Sequence, residues 1–433
     1  MVVDAHALLQ RLGRFLDGFA ECFVRRAHGG HAKRYVEGLL SDAKAKNMEG
    51  LLSRLVEPGD YQSLQHFMTH STWEADAVWK QLRGTLPEQR GYLIIDDTSI
   101  PKQGNHSVGV ARQYCGALGK VANCQSVVTT ALRTEHHTWP LSMQLYLPKG
   151  WCTARSRRKR ADVPASIVHQ TKLEMALSQI DVAIKAGIVI DCVLADAAYG
   201  EATEFREAIA ARGLHYAVGV SKTLTVFPAA PTFKAGRTRS RRVLADGSVV
   251  PQPVEALVDF AMPGDWQRIC WRNGVQGKLE AEFLIRRVIP AHDWRRGQTH
   301  DEVWLICERT LGEQSVRKYH LTNLPATLPA KELVRVTHER WAIEMQYRDL
   351  KQELGLDHFE GRSFPGFARH LVLTALAYTF LQLERRRGPE AEQLPSLAAV
   401  RRSVTEILTA MLFTLGERFA SLVAQLQRDP PPG

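Results

Sequence analysis

YLIID (92–96) and IVIDCVLAD (188–196) decide how this chain folds. Each is a short apolar run that ends in an aspartate. The second is apolar for nearly its whole length, as expected for a strand covered on both faces. Two further runs of strand composition, CQSVVTTALRT (124–134) and PLSMQLYLP (140–148), flank the polar turn Glu135-His136-His137. With 92–96 they predict a three-stranded meander. TKLEMALSQIDVAIKAG (171–187) sets Leu173, Leu177, Ile180 and Ile184 on one helical face, with Gly187 as its stop. EATEFREAIAARG (201–213) reads as a second helix, and LHYAVGV (214–220) as a further strand. The order βββαβαβ predicts an α/β fold, a mixed sheet flanked by helices.

Outward from this core the texture changes. Residues 1–88 carry helical periodicity, as in RFLDGFAECFVR and MEGLLSRLV, and predict an all-helical N-terminal domain. The core begins at 89–220. Residues 221–328, rich in Pro, Arg and Trp, hold short strand-like pieces (280–289, 302–310, 318–323) and predict a β-rich insertion. Residues 329–388 return to helix. The apolar run LVLTALAYTFLQL (371–383) is too short for a membrane span and reads as a buried helix. Residues 389–433 predict a helical segment with a frayed tail, RDPPPG.

The composition bounds the function. The 433 residues hold 56 Lys+Arg against 46 Asp+Glu, a net charge of +10, which favours a polyanionic partner. The 45% apolar content excludes a disordered chain. Seven cysteines (22, 115, 124, 152, 192, 270, 307) show no CxxC pair or zinc spacing, so a reducing compartment is expected. MVVDAHALLQRLGRFLDGF has no secretory pattern, and a cytoplasmic protein with no membrane contact is expected.

Asp96 and Asp196 end the two runs quoted first. If their strands are neighbours, both acids project into one crevice. The third feature is RWAIEMQYRDLKQELGL (340–356). Ile343, Tyr347, Leu350 and Leu354 form its inward stripe. Arg340, Glu344 and Lys351 fall within roughly 40° of one another on a different face. Two aspartates and a glutamate are hard oxygen donors that suit Mg²⁺ or Mn²⁺, and a pair of such ions can serve in-line phosphoryl transfer. No phosphate-cradling glycine loop is present, so nucleotide use is not expected.

At these residues the chain resembles bacterial insertion-sequence transposases of the DDE type, which have an RNase H-like core. IIDDTSIPKQGNHSVGVARQYCGALGK (94–120) resembles their first-Asp block and VLADAAYG (193–200) their second. RWAIEMQYRDLK (340–351) resembles their Y-R-E-K signature, except that Thr337 stands where the tyrosine is expected. Asp96 and Asp97 both sit in the first block, and the Asp-x-Thr spacing selects Asp96. The resemblance implies that Asp96, Asp196 and Glu344 hold two Mg²⁺ (or Mn²⁺) ions. It implies cleavage of double-stranded DNA at terminal inverted repeats and transfer of the 3′-OH into target DNA. It also implies a homodimer on DNA, working at the nucleoid. Arg340 and Lys351 would bind phosphates near the scissile bond. In relatives that form a hairpin an aromatic residue holds a flipped base, and here Tyr319 and Trp304 are the candidates.

The basic runs are candidates for the DNA path. They are Arg155, Arg157, Arg158, Lys159 and Arg160; Arg237, Arg239, Arg241 and Arg242; and Arg385 to Arg387. Lys102 and Lys120 join them, as do Arg25, Arg26, His28, His31, Lys33 and Arg34. Two other readings stay open from sequence. One is a catalytically idle DNA-binding protein that kept the core, and the other is a stand-alone nuclease of RNase H-like fold.

Overall fold

The computed structural model describes residues 5–235, 242–274, 277–387 and 394–428. Strand β1 (Arg90–Pro101) is its axis. The hairpin strand β2 (Ala111–Cys115) and the long β3 (Lys120–Arg133) follow, then β4 (Thr138–Leu145). β3 pairs antiparallel with β1 and β4, which is the expected three-stranded meander, and also with β2, a strand that the sequence reading did not include. β5 (Val189–Ala195) runs parallel to β1, and β6 (Tyr216–Val220) parallel to β5. The core order is thus β4-β3-β1-β5-β6, a mixed sheet of RNase H-like type.

Burial explains the apolar runs. From Leu93 to Ile100 every β1 residue is buried except Asp96 and Asp97. β1 is longer than its apolar run: it continues to Pro101 because Thr98, Ser99 and Ile100 keep pairing with Val127, Ser126 and Gln125 of β3. Asp96 therefore does not end a strand, contrary to the sequence expectation. It ends only the parallel ladder with β5.

The insertion continues this sheet. β7 (Thr225–Phe227), the separate hairpin β8 (Phe233–Ala235) and β9 (Arg242–Leu244), and β10 (Gln252–Pro253) lead to β11 (Trp266–Gly274), β12 (Gly277–Pro290), β13 (Val303–Arg309) and β14 (Val316–Thr322). β14 pairs antiparallel with β6, so twelve strands share one sheet. Of the basic run in this segment, Arg242 starts β9, while Arg237, Arg239 and Arg241 lie outside the described residues.

The helices α1 (Ala5–Asp17), α2 (Arg26–Leu40), α3 (Met48–Leu52), α4 (Tyr61–Thr69) and α5 (Ala75–Thr85) form the N-terminal region. In the core are α6 (Lys149–Thr153), α7 (Arg155–Arg160), α8 (Lys172–Lys185), α9 (Ala197–Gly200), α10 (Thr203–Ala211) and, within the insertion, α11 (Val254–Asp259). α12 (Ala330–His338), α13 (Trp341–Gln352), α14 (Phe364–Arg386) and α15 (Leu397–Arg428) close the chain. α14 is buried around its whole circumference, as a helix without a polar face must be. It packs on β4 and takes the N-terminal helices on its other side. There Tyr35 meets His370 at 2.9 Å, and the Arg369 guanidinium donates to the carbonyls of Met68 and Trp73.

One helix face differs from expectation. α8 buries Met175, Ala176, Gln179, Ile180 and Ala183, while Ile184 is exposed. The small Ala176 and Ala183 let the helix lie close on β3, and that rotates the apolar stripe partly outward. No helix among the described residues is long and apolar enough to cross a membrane. All seven cysteines are free thiols.

Candidate active site

The parallel ladder of β1 and β5 ends with Ile95 opposite Ala195. The next residue after each is an aspartate, so Asp96, still within β1, and Asp196, just past the end of β5, lie side by side. Asp196 caps α9, its Oδ1 accepting the Ala198 amide at 2.9 Å. Two glycines bring that turn down onto β6. A Cβ on Gly200 would stand 2.1 Å from the Gly219 carbonyl oxygen, and one on Gly219 would stand 2.9 Å from the Ala197 nitrogen. Real Cβ atoms do not approach so closely, so both positions require glycine to hold Asp196 in place.

α13 supplies the third carboxylate. Ile343, Tyr347 and Leu350 bury its inner stripe as expected, and the Tyr347 hydroxyl bonds to Thr129, the cross-strand partner of Asp96. This leaves Glu344 half-exposed in the first turn. Arg340, at the N-cap, donates to Asp96 Oδ2 at 3.2 Å and to Glu344 Oε1 at 2.5 Å. One guanidinium therefore spans the two carboxylates. Among the described residues no three His, Cys, Asp or Glu side chains are grouped closely enough to share a metal ion. The arrangement is an aspartate pair, with Glu344 held one guanidinium away.

The pair is short of positive charge. Burial is the largest cause pushing the Asp96 carboxyl up to about 7. Arg340 opposes this, while Asp196 and Asp97 add to it. Asp196 is raised by the same burial and by Asp97, again against Arg340. Tyr199, beneath them, is raised by burial and then by all three aspartates.

Asp97 has different company. Its Oδ2 takes Lys172 Nζ of α8 at 2.7 Å and Ser126 Oγ at 2.9 Å, and Tyr199 donates to Oδ1 at 3.4 Å. Adjacent strand residues point to opposite faces. Asp96 faces α13, and Asp97 faces α8.

The remaining sequence candidates are scattered. Lys351 Nζ donates to the Ser99 carbonyl at 3.0 Å, further along β1, and Lys102 Nζ to the Phe359 carbonyl at 2.7 Å. Arg158 is tied to the Pro164 carbonyl at 2.6 Å, while Lys159 and Arg160 are exposed on α7. Lys120 is exposed at the start of β3. Tyr319 on β14 is half-buried, with β6 between it and the strand that leads to Asp196. Trp304 is engaged by the Arg287 guanidinium, 4.8 Å from its ring centroid. Thr337, in the place of the signature tyrosine, is buried with its hydroxyl on the Val334 carbonyl. In the N-terminal cluster His28 and His31 pack against Phe67, leaving Arg25, Arg26 and Lys33 exposed.

Sequence reading missed what three residues do around the acids. Lys172 bonds Asp97 of β1, and the hydroxyl of Tyr347, a residue read only as part of an inward stripe, bonds Thr129 of β3; only topology reveals these partners. Trp341 is 56% exposed beside Arg340 and makes no ring contact or hydrogen bond through its side chain among the described residues. The signal was available, since Trp341 lies off the apolar stripe of its helix and so had no core to enter.

A family profile described as DDE superfamily endonuclease, a group that uses divalent metals, matches residues 18–278, which include Asp96 and Asp196 but stop short of Glu344. The chain is also 32% identical over 189 residues to a probable transposase for insertion sequence element IS701 from Microchaete diplosiphon. That alignment covers 42% of this chain and 46% of the relative, less than half the relative's length. With more than half of its residues inside the family profile, the chain belongs to the DDE superfamily of endonucleases.

Proposed function

We propose that the protein is a DNA transposase, which cuts phosphodiesters at the ends of an insertion sequence and joins the freed 3′-OH to target DNA. The observation that carries this reading is the juxtaposition of Asp96 and Asp196 on neighbouring parallel strands, with Glu344 joined to Asp96 through Arg340. Its substrates are double-stranded terminal inverted repeats and target DNA. A homodimer would bring two ends together, and no nucleotide is needed. Its place is the reducing cytoplasm, at the nucleoid, in keeping with seven free thiols.

The donor set fits hard divalent cations, Mg²⁺ or Mn²⁺, because carboxylate oxygens are the ligands such ions prefer, and the buried Asp96 and Asp196 lack enough positive charge of their own. Asp96, Asp196 and Glu344 would hold two of them. When bound, such ions stabilise the attacking and leaving oxygens of an in-line displacement. Burial favours the protonated Asp96 carboxyl, and a bound cation would favour the carboxylate instead. Arg340 would have to release Asp96 and Glu344 for both to ligate, and its freed fork would suit two oxygens of a DNA phosphate. Lys351 adds a second cation along β1. The exposed Trp341 suits the base-stacking task that sequence assigned to Tyr319 or Trp304, since its ring faces are uncovered.

The test is a cleavage and strand-transfer assay with Mg²⁺ on DNA carrying the terminal repeats of the element, comparing the native protein with Asp96→Ala, Asp196→Ala and Glu344→Ala. Each substitution is expected to abolish both steps. Full activity in any one removes that residue from the site. Cleavage of every duplex regardless of its ends replaces the transposase with a general nuclease, and binding to the ends without cleavage leaves an idle DNA-binding protein.

A further inference from the structure

A second basic feature lies away from the carboxylates, where α1 runs antiparallel to the end of α14. Arg11, Arg14, Arg386 and Arg387 rim an open recess of about 900 Å³. Its floor is apolar, made by Phe15, Phe380 and Leu383. Among the described residues two carboxylates serve it, Glu384 and Glu88. Glu384, with a side chain only 7% exposed, takes Arg11 through two hydrogen bonds of 2.8 and 2.6 Å, and Arg387 lies 3.4 Å away. Glu384 thereby fixes the Arg11 guanidinium against the floor. Arg14, Arg386 and Arg387 remain exposed, and Arg386 also reaches Glu88 at 3.8 Å.

Helix dipoles account for part of this, since cations favour the last turn of a helix. Both Arg14 and Arg386 occupy such turns. They do not account for two helices from opposite ends of the chain presenting their arginines to the same recess. Among the described residues four guanidiniums with two carboxylates, Glu384 and Glu88, leave a local excess of positive charge, and an anion would relieve that repulsion. A floor of aromatic and aliphatic carbon beneath an arginine rim matches a sugar–phosphate chain, which is apolar along the deoxyribose and anionic along its edge.

We propose that this recess grips the backbone of duplex DNA at a point remote from the cleaved bond, an assignment that rests on the proposed function. Arg386 stands beside Glu88, just before β1, and Asp96 lies further along that strand. At the rise of an extended chain the separation is roughly 25 Å. That corresponds to roughly seven base pairs of duplex, a length that a single DNA end could span. The contact is to phosphate and carries no sequence information.

The experiment follows from that last property. A random-sequence duplex, without metal, is titrated by fluorescence anisotropy over a salt series. Arg14→Gln/Arg386→Gln/Arg387→Gln is expected to flatten the log–log salt dependence by about two to three and to weaken binding about tenfold or more. The matching Arg→Lys variant keeps the charge and is expected to keep most of the slope, which separates lost charge from lost fold. An unchanged slope in the Gln variant overturns the proposal. So does a Gln variant that binds DNA normally but changes its sedimentation without DNA, because the recess then serves a protein partner. Metal-dependent cleavage by the unsubstituted protein is scored separately. Cleavage together with an unaltered slope removes the recess and leaves the proposed function. A flattened slope without any cleavage removes the function and leaves the recess.

Discussion

The two faces of β1 carry the same side chain at consecutive positions and treat it differently. On the α8 face Asp97 has a committed ammonium, Lys172 at 2.7 Å, and a serine hydroxyl. On the α13 face Asp96 shares one guanidinium with Glu344 and lies beside Asp196. The first arrangement is an ion pair that holds a helix to a sheet. The second has more carboxylates than cations, in a place where burial alone disfavours ionisation. A fold tolerates such an excess where a mobile cation completes it.

Exchanging each acid for its amide gives the largest contrast. Asp96→Asn should lower Mg²⁺-dependent cleavage by roughly a thousandfold or more, because an amide is a poor ligand for a hard cation. Asp97→Asn should lower cleavage by less than about tenfold while destabilising the protein by roughly 1–3 kcal/mol, since it breaks a part-buried ion pair. Cleavage kinetics and urea denaturation of both variants measure this. Equal catalytic losses would erase the distinction between the faces.

The same contrast appears in the pH dependence of stability without metal. A carboxyl whose folded value is raised from 3.8 to about 7 favours the folded state most strongly at low pH. That contribution is complete below about pH 4 and is lost as the pH climbs through about 7. Asp96 should therefore make the chelator-treated protein less stable toward neutral pH, by at most roughly 3–4 kcal/mol. Asp96→Asn should remove this slope and raise the neutral-pH melting temperature in chelator. Added Mg²⁺ should stabilise the native protein and not the variant. A native protein whose stability does not fall between pH 4 and 7 would show that Asp96 is better neutralised than its neighbours suggest.

These two faces also mark how far sequence alone could reach. The strands, their order and the inward stripe of α13 were legible because apolar periodicity and chain order carry them. Pairing Asp96 with Asp196 needed one further assumption, that their strands are neighbours, and the β1–β5 ladder supplies it. The α8 face was misjudged at Ile184, because helix packing there follows the small Ala176 and Ala183 rather than the largest apolar residues. Lys172 was invisible, since it acts on β1 from a distant segment, and Tyr347 was read as inward-facing without its bond to Thr129 of β3. Lys351 lies within one helical face of Glu344, yet its long stem carries the ammonium to Ser99. Helical spacing locates a Cα and says little about where a four-carbon side chain ends.

A weaker intervention on the α13 face is Arg340→Gln. Arg340 opposes the rise in the Asp96 value, so its loss should raise that value further and cost roughly 1–3 kcal/mol at neutral pH in chelator. In the double variant with Asp96→Asn most of that cost should vanish, because the buried carboxylate that needed the cation has gone. Additive losses in the cycle would place the main role of Arg340 at the exposed Glu344 instead.

The smallest expected effects are on the α8 face, where the charges are already balanced. Lys172→Met leaves Asp97 with the Ser126 and Tyr199 hydroxyls, and the ammonium is 34% exposed, so solvent supplies part of the compensation. The cost should be about 1 kcal/mol. Tyr199→Phe should cost less still, because its hydrogen bond to Asp97 is long at 3.4 Å and the ring keeps its packing on Phe205. Thermal denaturation should rank the two in that order. A larger loss in Tyr199→Phe would mean that the hydroxyl acts on more than Asp97. The other acids that raise its own value, Asp96 and Asp196, lie on the crowded face, and the two sides of β1 would then be electrostatically joined through Tyr199 rather than separate.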